Sequence, residues 1–373
     1  MVVRYAINAL FVRWGINAGT ETYVTNIVRP WYENQPSGGC EFIFYCNQLP
    51  PWWKGDRPWF RAVILQRAKR VGWRIFYEQL WLPLVGLSSF DALFAPGYVG
   101  SALLKKRQVI TVHDAFAWLY PGEIGLLRSL YWRVFIPLSL RSRNSLITVS
   151  ASTAADLKRL CHIDHQQIYV IHEAGSHLSA MNEGGAILER LGLEAGKYFH
   201  CVGFFKKIKN PYTILKAYRA YCAALGNNSP NKLVLVGHVG NGVGQEIAEY
   251  ASKIPGVILA GRLPDASLSD IYRNSAALVF ASLYEGFGIP ILEAQELGCP
   301  VITSQSSSMP EVAGDGALFV DQNSASDIAT ALSKISEKAE AEALVGKGKL
   351  NYEKFSWQKA SNMTLDVLRR VKR

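Results

Sequence analysis

Glu285 and Glu293 stand eight positions apart in SLYEGFGIPILEAQELGCPV (residues 282–301), a short run that also holds Gly286, Gly288 and Pro290. Two carboxylates so placed can act as acid and base, or they can divide one ligand between them. Proline suits the first helical position because its fixed φ matches the helix, so Pro290 predicts a loop followed at once by a helix. Glu285 then lies in the loop and Glu293 in the first helical turn. The amides of Gly288 and Ile289 head that helix, where the partial positive charge of the dipole favours a phosphate. Beside a phosphate, Glu293 can accept hydrogen bonds from the paired hydroxyls of a ribose, which leaves Glu285 to face the reacting end. The plainer reading is that a glutamate near a helix start only complements the dipole, for less than ~1 kcal/mol, and that the glycines only permit a tight turn. Spacing alone leaves both open.

Other polar residues interrupt apolar runs where chemistry could sit. QVITVHDAFAW ends a strand-like run with His113 and Asp114, a place where a lone histidine is more often structural than catalytic. YFHCVGFFKKIKNPYTILKAY puts Lys209 before Asn210 at a helix start. There asparagine can cap the helix while the ammonium neutralises phosphate, or the turn is simply basic and solvated. LFVRWGINAGTETYVTNIV places Gly15 and Gly19 between a strand and a helical segment, weak evidence alone because such turns commonly need glycine. No Asp-x-Asp occurs, so a metal held between carboxylates and a pyrophosphate is not indicated. The six cysteines lack metal-like spacing and read as reduced core residues of a cytosolic protein.

The elements that must position these residues alternate. VVRYAINALFV, CEFIFYC, DALFAP, QVITVHD, SLITVS and IYVIH punctuate the first half, and KYFHCVGFF, NKLVLVG, GVILAG, AALVFAS, CPVITS and GALFV the second, with polar-apolar segments between them. That rhythm predicts two tandem α/β units, each a parallel sheet covered by helices. The Gly-, Ser- and Asn-rich stretch near 175–196 marks the junction. The expected domains are therefore 1–178, completed by a C-terminal helix over 356–373, and 179–355. In LITVSASTAADLKR either Ser150 or Ser152 is expected to cap a helix. Open parallel sheets bind ligands at the carboxyl ends of their strands, so the loops after the strands are the places to search.

With 373 residues, 49% hydrophobic and 19% charged, the chain is globular, and its length favours two domains. The N-terminus MVVRYAINALFV reads as a first strand, without a basic leader or cleavage site. No uncharged apolar run approaches the roughly 20 residues of a membrane span; the nearest, 79–104, is broken by Pro83, Asp91 and Pro96. A net charge of +10 instead suggests an anionic partner surface. Residues 52–74 carry seven Lys or Arg against one Asp, interleaved with Trp52, Trp53, Trp59, Phe60 and Trp73. This suits an amphipathic segment on anionic lipid, or equally a solvated helix face; nucleic acid is disfavoured because no recognition motif accompanies the charge.

ASLYEGFGIPILEAQELGCPVITSQSSSMPEVAGDGALFVD resembles the Glu-x7-Glu block of glycosyltransferase family 4, retaining enzymes of GT-B fold that use nucleotide-sugar donors. It departs at Ala281 and Gln295, where the family often has Pro and Met. The resemblance implies two Rossmann-like domains facing across a cleft, with a final helix, beginning at FSW, that crosses back to the N-terminal domain. It implies that Lys209 binds the donor pyrophosphate, while Phe204 replaces the family's usual arginine; Lys206 or Lys207 could substitute. Gly261, Arg262 and Leu263 would line the nucleobase slot, chiefly through backbone groups. Gly286, Phe287, Gly288 and Ile289 would form the donor-binding loop, Glu293 the ribose anchor, and Glu285 the group at the sugar. From the first half it implies Gly19 near the phosphates, with Ala18 where a second glycine is frequent, and His113 at the sugar, beside Asp114. RIFYEQLWLPLVGLSSFDALFAP also looks family-like, so its hydrophobicity reads as packing.

The reading is thus a metal-independent retaining hexosyltransferase without a cofactor, its substrate a GDP- or UDP-linked sugar, with GDP-mannose the favoured guess and dTDP-rhamnose open. Its acceptor would be a glycan or lipid-linked glycan in cell-surface polysaccharide synthesis. It would act in the cytoplasm, peripheral on the inner face of the cytoplasmic membrane. The rivals are a glycoside hydrolase, a sugar-nucleotide epimerase of the same fold, and a non-catalytic glycan- or membrane-binding scaffold.

Overall fold

The computed structural model describes residues 2–16, 18–105, 107–140, 144–163, 168–175, 178–226 and 230–371. The chain divides into two compact units, Met1–Glu173 with Ser356–Arg373, and Ala174–Phe355.

In the first unit the strands are β1 (Arg4–Ala9), β2 (Glu41–Cys46), β3 (Phe60–Ile64), β4 (Ala92–Ala95), β5 (Gln108–Val112), β6 (Ser145–Thr148) and β7 (Ile168–Val170). They form one sheet in the order β3-β2-β1-β4-β5-β6-β7, and every pair is parallel. β4 and β5 are buried throughout, as expected of strands covered on both faces. Ser150 caps the helix Ala151–Cys161 by accepting from the Thr153 amide at 3.0 Å, which settles the choice between Ser150 and Ser152. The final helix, Trp357–Arg370, packs on Ala18–Glu33, and Ser361 Oγ donates to the Ile27 carbonyl at 2.8 Å. It therefore completes the first unit although it ends the chain.

β3 was not anticipated, and its presence changes the reading of 52–74. The segment is no amphipathic helix: a turn leads into β3, followed by a short 3₁₀ turn, Gln66–Lys69, and the helix Val71–Phe76. Trp53 stacks on Tyr32 at 4.8 Å, and the indoles of Trp52 and Trp59 donate to Thr25 Oγ1 (3.3 Å) and the Trp31 carbonyl (3.0 Å). These three rings pack along the sheet edge, Trp53 through its stacking and Trp52 and Trp59 through N–H groups that find partners inside the unit.

The stretch 75–90 differs from expectation in the opposite direction. Leu82 and Phe90 are buried, yet Leu80, Leu84 and Leu87 are exposed, so packing accounts for only one face. No helix among the described residues is long and apolar enough to cross a membrane.

The second unit holds β8 (Tyr198–Val202), β9 (Lys232–Val236), β10 (Val257–Gly261), β11 (Ala277–Phe280), β12 (Val301–Ser304) and β13 (Leu318–Val320), in the order β10-β9-β8-β11-β12-β13. All pairs are again parallel, and the six runs read from the second half of the sequence are these six strands. Helices Pro211–Leu225 and Ala325–Ile335 pack together over one face, around a core that includes Phe199, Leu215, Tyr218, Leu235 and Leu332.

Each sheet runs outward from its first strand in both directions, so strand order reverses between β1 and β4 and between β8 and β11. At such a reversal the loops leaving adjacent strands diverge to opposite faces and open a crevice at the carboxyl ends. Most of the residues singled out by the sequence follow β8 and β11 in one unit, and β1 and β5 in the other, while Arg262 and Leu263 follow β10.

Candidate active site

Lys209 lies seven residues beyond β8 and Glu285 five beyond β11, so the two loops at the reversal point each deliver one charge. Lys209 Nζ donates to Glu285 Oε1 at 2.6 Å, with the side chains only 18% and 13% exposed. The ammonium also sits 4.6 Å from the centre of the Phe280 ring. A charge-assisted bond this short in a poorly hydrated place is strong, yet an ammonium has three donors and Glu285 takes one. The same nitrogen can therefore hold a phosphate oxygen while it positions Glu285.

The backbone around the pair is unusually constrained. Gly203 follows β8 with φ +62°, and the Lys209 side chain passes 3.6 Å from where a Cβ would stand. Lys209 closes a 3₁₀ turn, Lys207–Lys209, and Asn210 then turns left-handed at φ +59°. That conformation takes Asn210 out of the capping role expected of it: its side chain makes no cap bond to the helix Pro211–Leu225. Nδ2 donates instead to the carbonyls of Ala281 (3.1 Å) and Gln322 (2.6 Å), tying the β8 loop to the loops after β11 and β13. Phe204, in the place of the family's arginine, is buried in the core and leaves no cation there. Lys206 and Lys207 are exposed.

A run of serines at the end of β12 and just beyond it holds the Glu285 loop. Ser307 Oγ accepts from the Glu285 amide and donates to the Glu285 carbonyl, both at 2.9 Å, while Ser308 donates to the Phe287 carbonyl at 2.6 Å. Ser306 donates to the Leu283 carbonyl at 2.8 Å, and Ser304 to that of Ser282 at 2.8 Å. Ser307 does this from φ +47°, a strained conformation for a residue with a Cβ. The signal for this serine run in the sequence is the SQSSS string that ends an apolar strand.

The helix expected after the loop is Ile289–Glu296, with Gly288 as its N-cap at φ +111° and Pro290 as its second residue. Glu293 is the fifth residue, so it stands in the second turn rather than the first. Its Oε2 accepts from Tyr272 Oη at 2.8 Å. Tyr272 is fully buried, and burial first, then the charge and hydrogen bond of Glu293, push its phenol far above the usual range. It stays a donor at all working pH and fixes one carboxylate oxygen. Gly286 is half-buried in the loop, and Phe287 is buried against Phe355, ring centres 6.0 Å apart. Gln295, where the family often has methionine, is buried and satisfied: it donates to the Ala313 carbonyl (2.8 Å) and accepts from Asn351 Nδ2 (2.9 Å). Arg262 is exposed directly after Gly261, whereas the Leu263 side chain joins a core cluster with Val234 and Ile271.

In the first unit, β5 delivers His113 and Asp114. His113 Nε2 lies 2.8 Å from the Pro96 carbonyl, Nδ1 lies 3.4 Å from Glu173 Oε1, and the Tyr23 ring meets it edge-on at 4.6 Å. Burial is the largest single influence and pulls the imidazole pKa down, but the hydrogen bond and charge of Glu173, aided by Pro96 and Asp114, leave it raised above its usual 6.5. Asp114 accepts from the Phe116 amide at 2.9 Å and from the Tyr98 hydroxyl. Tyr98 itself is left-handed at φ +70° and stacks on Trp132 at 4.1 Å. Gly19 is already the second residue of the helix Ala18–Glu33, with open space where a Cβ would stand, and Gly15 has φ +82°. Glu173 and Tyr98 escaped the sequence reading, because neither spacing nor composition announces a partner sixty or fifteen residues away.

Replacing Glu173 with glutamine is expected to lower the His113 pKa, since burial then acts without its counter-charge. A proton-NMR titration of the imidazole should show the midpoint moving to lower pH. The sign for stability follows. A raised folded pKa contributes stability that is complete below the unfolded value and fades as pH rises through the folded one, and Glu173→Gln should flatten that slope.

The structure thus joins Lys209 with Glu285, and Glu293 with Tyr272, in the second unit, and groups His113 with Asp114, Tyr98 and Glu173 in the first. Among the described residues no three His, Cys, Asp or Glu side chains gather as a metal ion would need.

Residues 19–174 match the family Glycosyltransferase Family 4, and residues 187–349 match Glycosyl transferases group 1. The chain is 28% identical over 268 residues to O-antigen chain mannosyltransferase B of Escherichia coli, a match covering 70% of each protein. It is 25% identical over 248 residues to O-antigen chain mannosyltransferase RfbU of Salmonella typhimurium strain LT2, covering 64% of this chain and 63% of that one, just under two thirds. The solved structure of sucrose-phosphate synthase from Thermosynechococcus elongatus superposes with a TM-score of 0.72 over 99% of both chains at 17% identity, a likeness of fold.

Proposed function

The chain belongs to glycosyltransferase family 4, with the two Rossmann-like units of the GT-B fold, and from that premise we propose that it transfers mannose from GDP-mannose to a hydroxyl of a growing O-antigen-type glycan. The observation that carries the reading is the Lys209–Glu285 ion pair where strand order reverses in the second sheet. Lys209, with the amides of Gly288 and Ile289, meets the charge of the diphosphate as it leaves. Glu293 holds the ribose. Glu285 faces the sugar, where C1 gains positive character as its bond to the phosphate oxygen breaks. The acceptor oxygen bonds to C1 on the same face, and its proton passes to the departing diphosphate oxygen. The roles that the resemblance implies for His113, Asp114 and Gly19 rest on the first unit alone, where His113 is held by Glu173 and the Pro96 carbonyl. Gly286 and Phe287 carry the Glu285 loop, Arg262 and Leu263 offer backbone groups to the base, and Lys207 supplements the phosphate charge.

The carboxylates are thereby assigned to the donor and not to a metal, so turnover is expected to persist in a chelator. The acceptor is carried on a lipid at the inner face of the cytoplasmic membrane. The names of the mannosyltransferases to which the chain is similar support mannose and the O-antigen chain as the destination. The test is incubation with GDP-mannose and an oligomannose acceptor, following both GDP release and glycan extension. Coupled release and extension is the expected result. Cleavage of the glycan without nucleotide release would indicate a hydrolase, conversion of the donor without an acceptor an epimerase, and binding without turnover of GDP-, UDP- or dTDP-sugars a scaffold.

A further inference from the structure

Two helical segments of the first unit leave an apolar face uncovered. Trp73, Phe76, Leu80, Leu84 and Leu87 recur at steps of three and four through the consecutive helical turns of Val71–Ser89, and all are exposed, Leu84 to 67%. Leu127, Leu130, Val134 and Leu138 do the same along the helix Leu126–Ser139, with Leu127 at 86%. Residues at those steps lie on one side of a helix, so each segment presents a stripe.

The stripes are neighbours. Buried Gln79, behind the first, donates to the Gly100 carbonyl at 2.9 Å, accepts from the Ala102 amide at 2.9 Å, and lies 3.5 Å from Tyr131 Oη on the second helix. Ser139 Oγ, at that helix's end, reaches the same Gly100 carbonyl at 3.1 Å. Leu103, on the loop between them, is 57% exposed and extends the surface.

The charge of this face decides what fits it. Residues 71–89 and 126–139 carry Arg74, Arg128 and Arg133 against one acid, Glu78, and the exposed Arg67, Lys69, Arg70 and Lys105 flank the two segments. Glu78 is buried, where it pairs with Arg74 at 3.9 Å and accepts from Asn8 Nδ2, so the exposed charge of the face is positive. A second copy of the chain docked face to face would bring like charges together. An anionic bilayer surface takes up the apolar side chains, suits Trp73 at its interface, and attracts the cations.

We infer that the face formed by residues 71–89 and 126–139 docks this protein on an anionic lipid bilayer without crossing it. The inference rests on the reading of a lipid-carried acceptor given above and names the surface that meets the lipid. The test is flotation with vesicles of phosphatidylglycerol and phosphatidylcholine, and with phosphatidylcholine alone, using the full chain. Wild type should float at least tenfold more with the anionic vesicles, and salt should weaken the binding. Phe76→Glu/Leu84→Glu and Leu127→Glu/Leu130→Glu should each lose about tenfold of it while keeping the wild-type melting temperature. Equal flotation of wild type and both variants would overturn the inference, as would a wild-type dimer that the same substitutions dissociate without any vesicle binding. Transfer to a water-soluble acceptor should be unchanged in both variants, so loss of docking and failure of the enzymatic reading give different results.

Discussion

Glu285→Gln is expected to lower kcat by about 10²–10³, in the range seen when one group stabilising a developing charge is removed, while leaving nucleoside diphosphate affinity within about threefold. Glutamine keeps the shape of the side chain and an oxygen for Lys209 Nζ, now 2.6 Å from Oε1, but removes the charge that faces C1. Alanine is the poorer probe. It would leave the Lys209 ammonium unpaired in a place where both side chains are less than one fifth exposed. Breaking such a pair from one side costs stability of its own, on the order of 3–5 kcal/mol when fully buried. The loop should hold its place in the glutamine variant, because Ser307 grips the amide and carbonyl of residue 285 rather than its carboxylate. Steady-state kinetics with saturating donor read kcat, and equilibrium binding of the nucleotide reads the other half. A fall in affinity as large as the fall in kcat would mean that Glu285 binds the nucleotide instead.

Glu293→Ala is expected to do the reverse, weakening nucleoside diphosphate binding by about 10–100-fold, the equivalent of the roughly 1.5–3 kcal/mol carried by hydrogen bonds to a charged group. Calorimetric titration gives the constant directly. The variant also strips Tyr272 of its acceptor at 2.8 Å, and a buried hydroxyl without a partner costs about 1–3 kcal/mol of stability. Glu293→Gln separates the two effects. It returns an oxygen to Tyr272 but only one neutral acceptor in all, so stability should recover while nucleotide affinity stays depressed. Were affinity to recover with stability, Glu293 would be a structural partner of Tyr272 and no more.

β9 of the second unit was legible because a strand covered on both faces is a nearly continuous apolar run, NKLVLVG, and the edge strand β10, GVILAG, keeps the same apolar run between glycines although none of its residues is buried. β3 was not, since Arg61 interrupts FRAVI and Pro58 precedes it, the composition of an edge strand with one open side. The exposed stripe of Val71–Ser89 was missed for a related reason. A sequence shows that Leu82 and Leu84 are both apolar, but only the neighbours decide that the first is buried and the second is not. Glu285 and Glu293 could be singled out from spacing and Lys209 from its place before a helix, yet their partners could not. Lys209 and Glu285 are 76 positions apart, and the contact exists because β8 and β11 are adjacent across the reversal of strand order. Asn210 shows local chemistry giving way to tertiary demand: a residue suited to capping a helix turns left-handed to satisfy two carbonyls from other loops.

The claim that Glu285 and Glu293 divide the donor, with Glu293 on the ribose, is met most directly by a two-by-two titration. GDP and its 2′,3′-dideoxy counterpart are each bound to wild type and to Glu293→Ala. Removing the ribose hydroxyls should weaken binding to wild type about tenfold or more and make almost no further difference in the variant, because the hydroxyls and the carboxylate are two ends of one interaction. The same fold loss in both proteins would contradict the assignment.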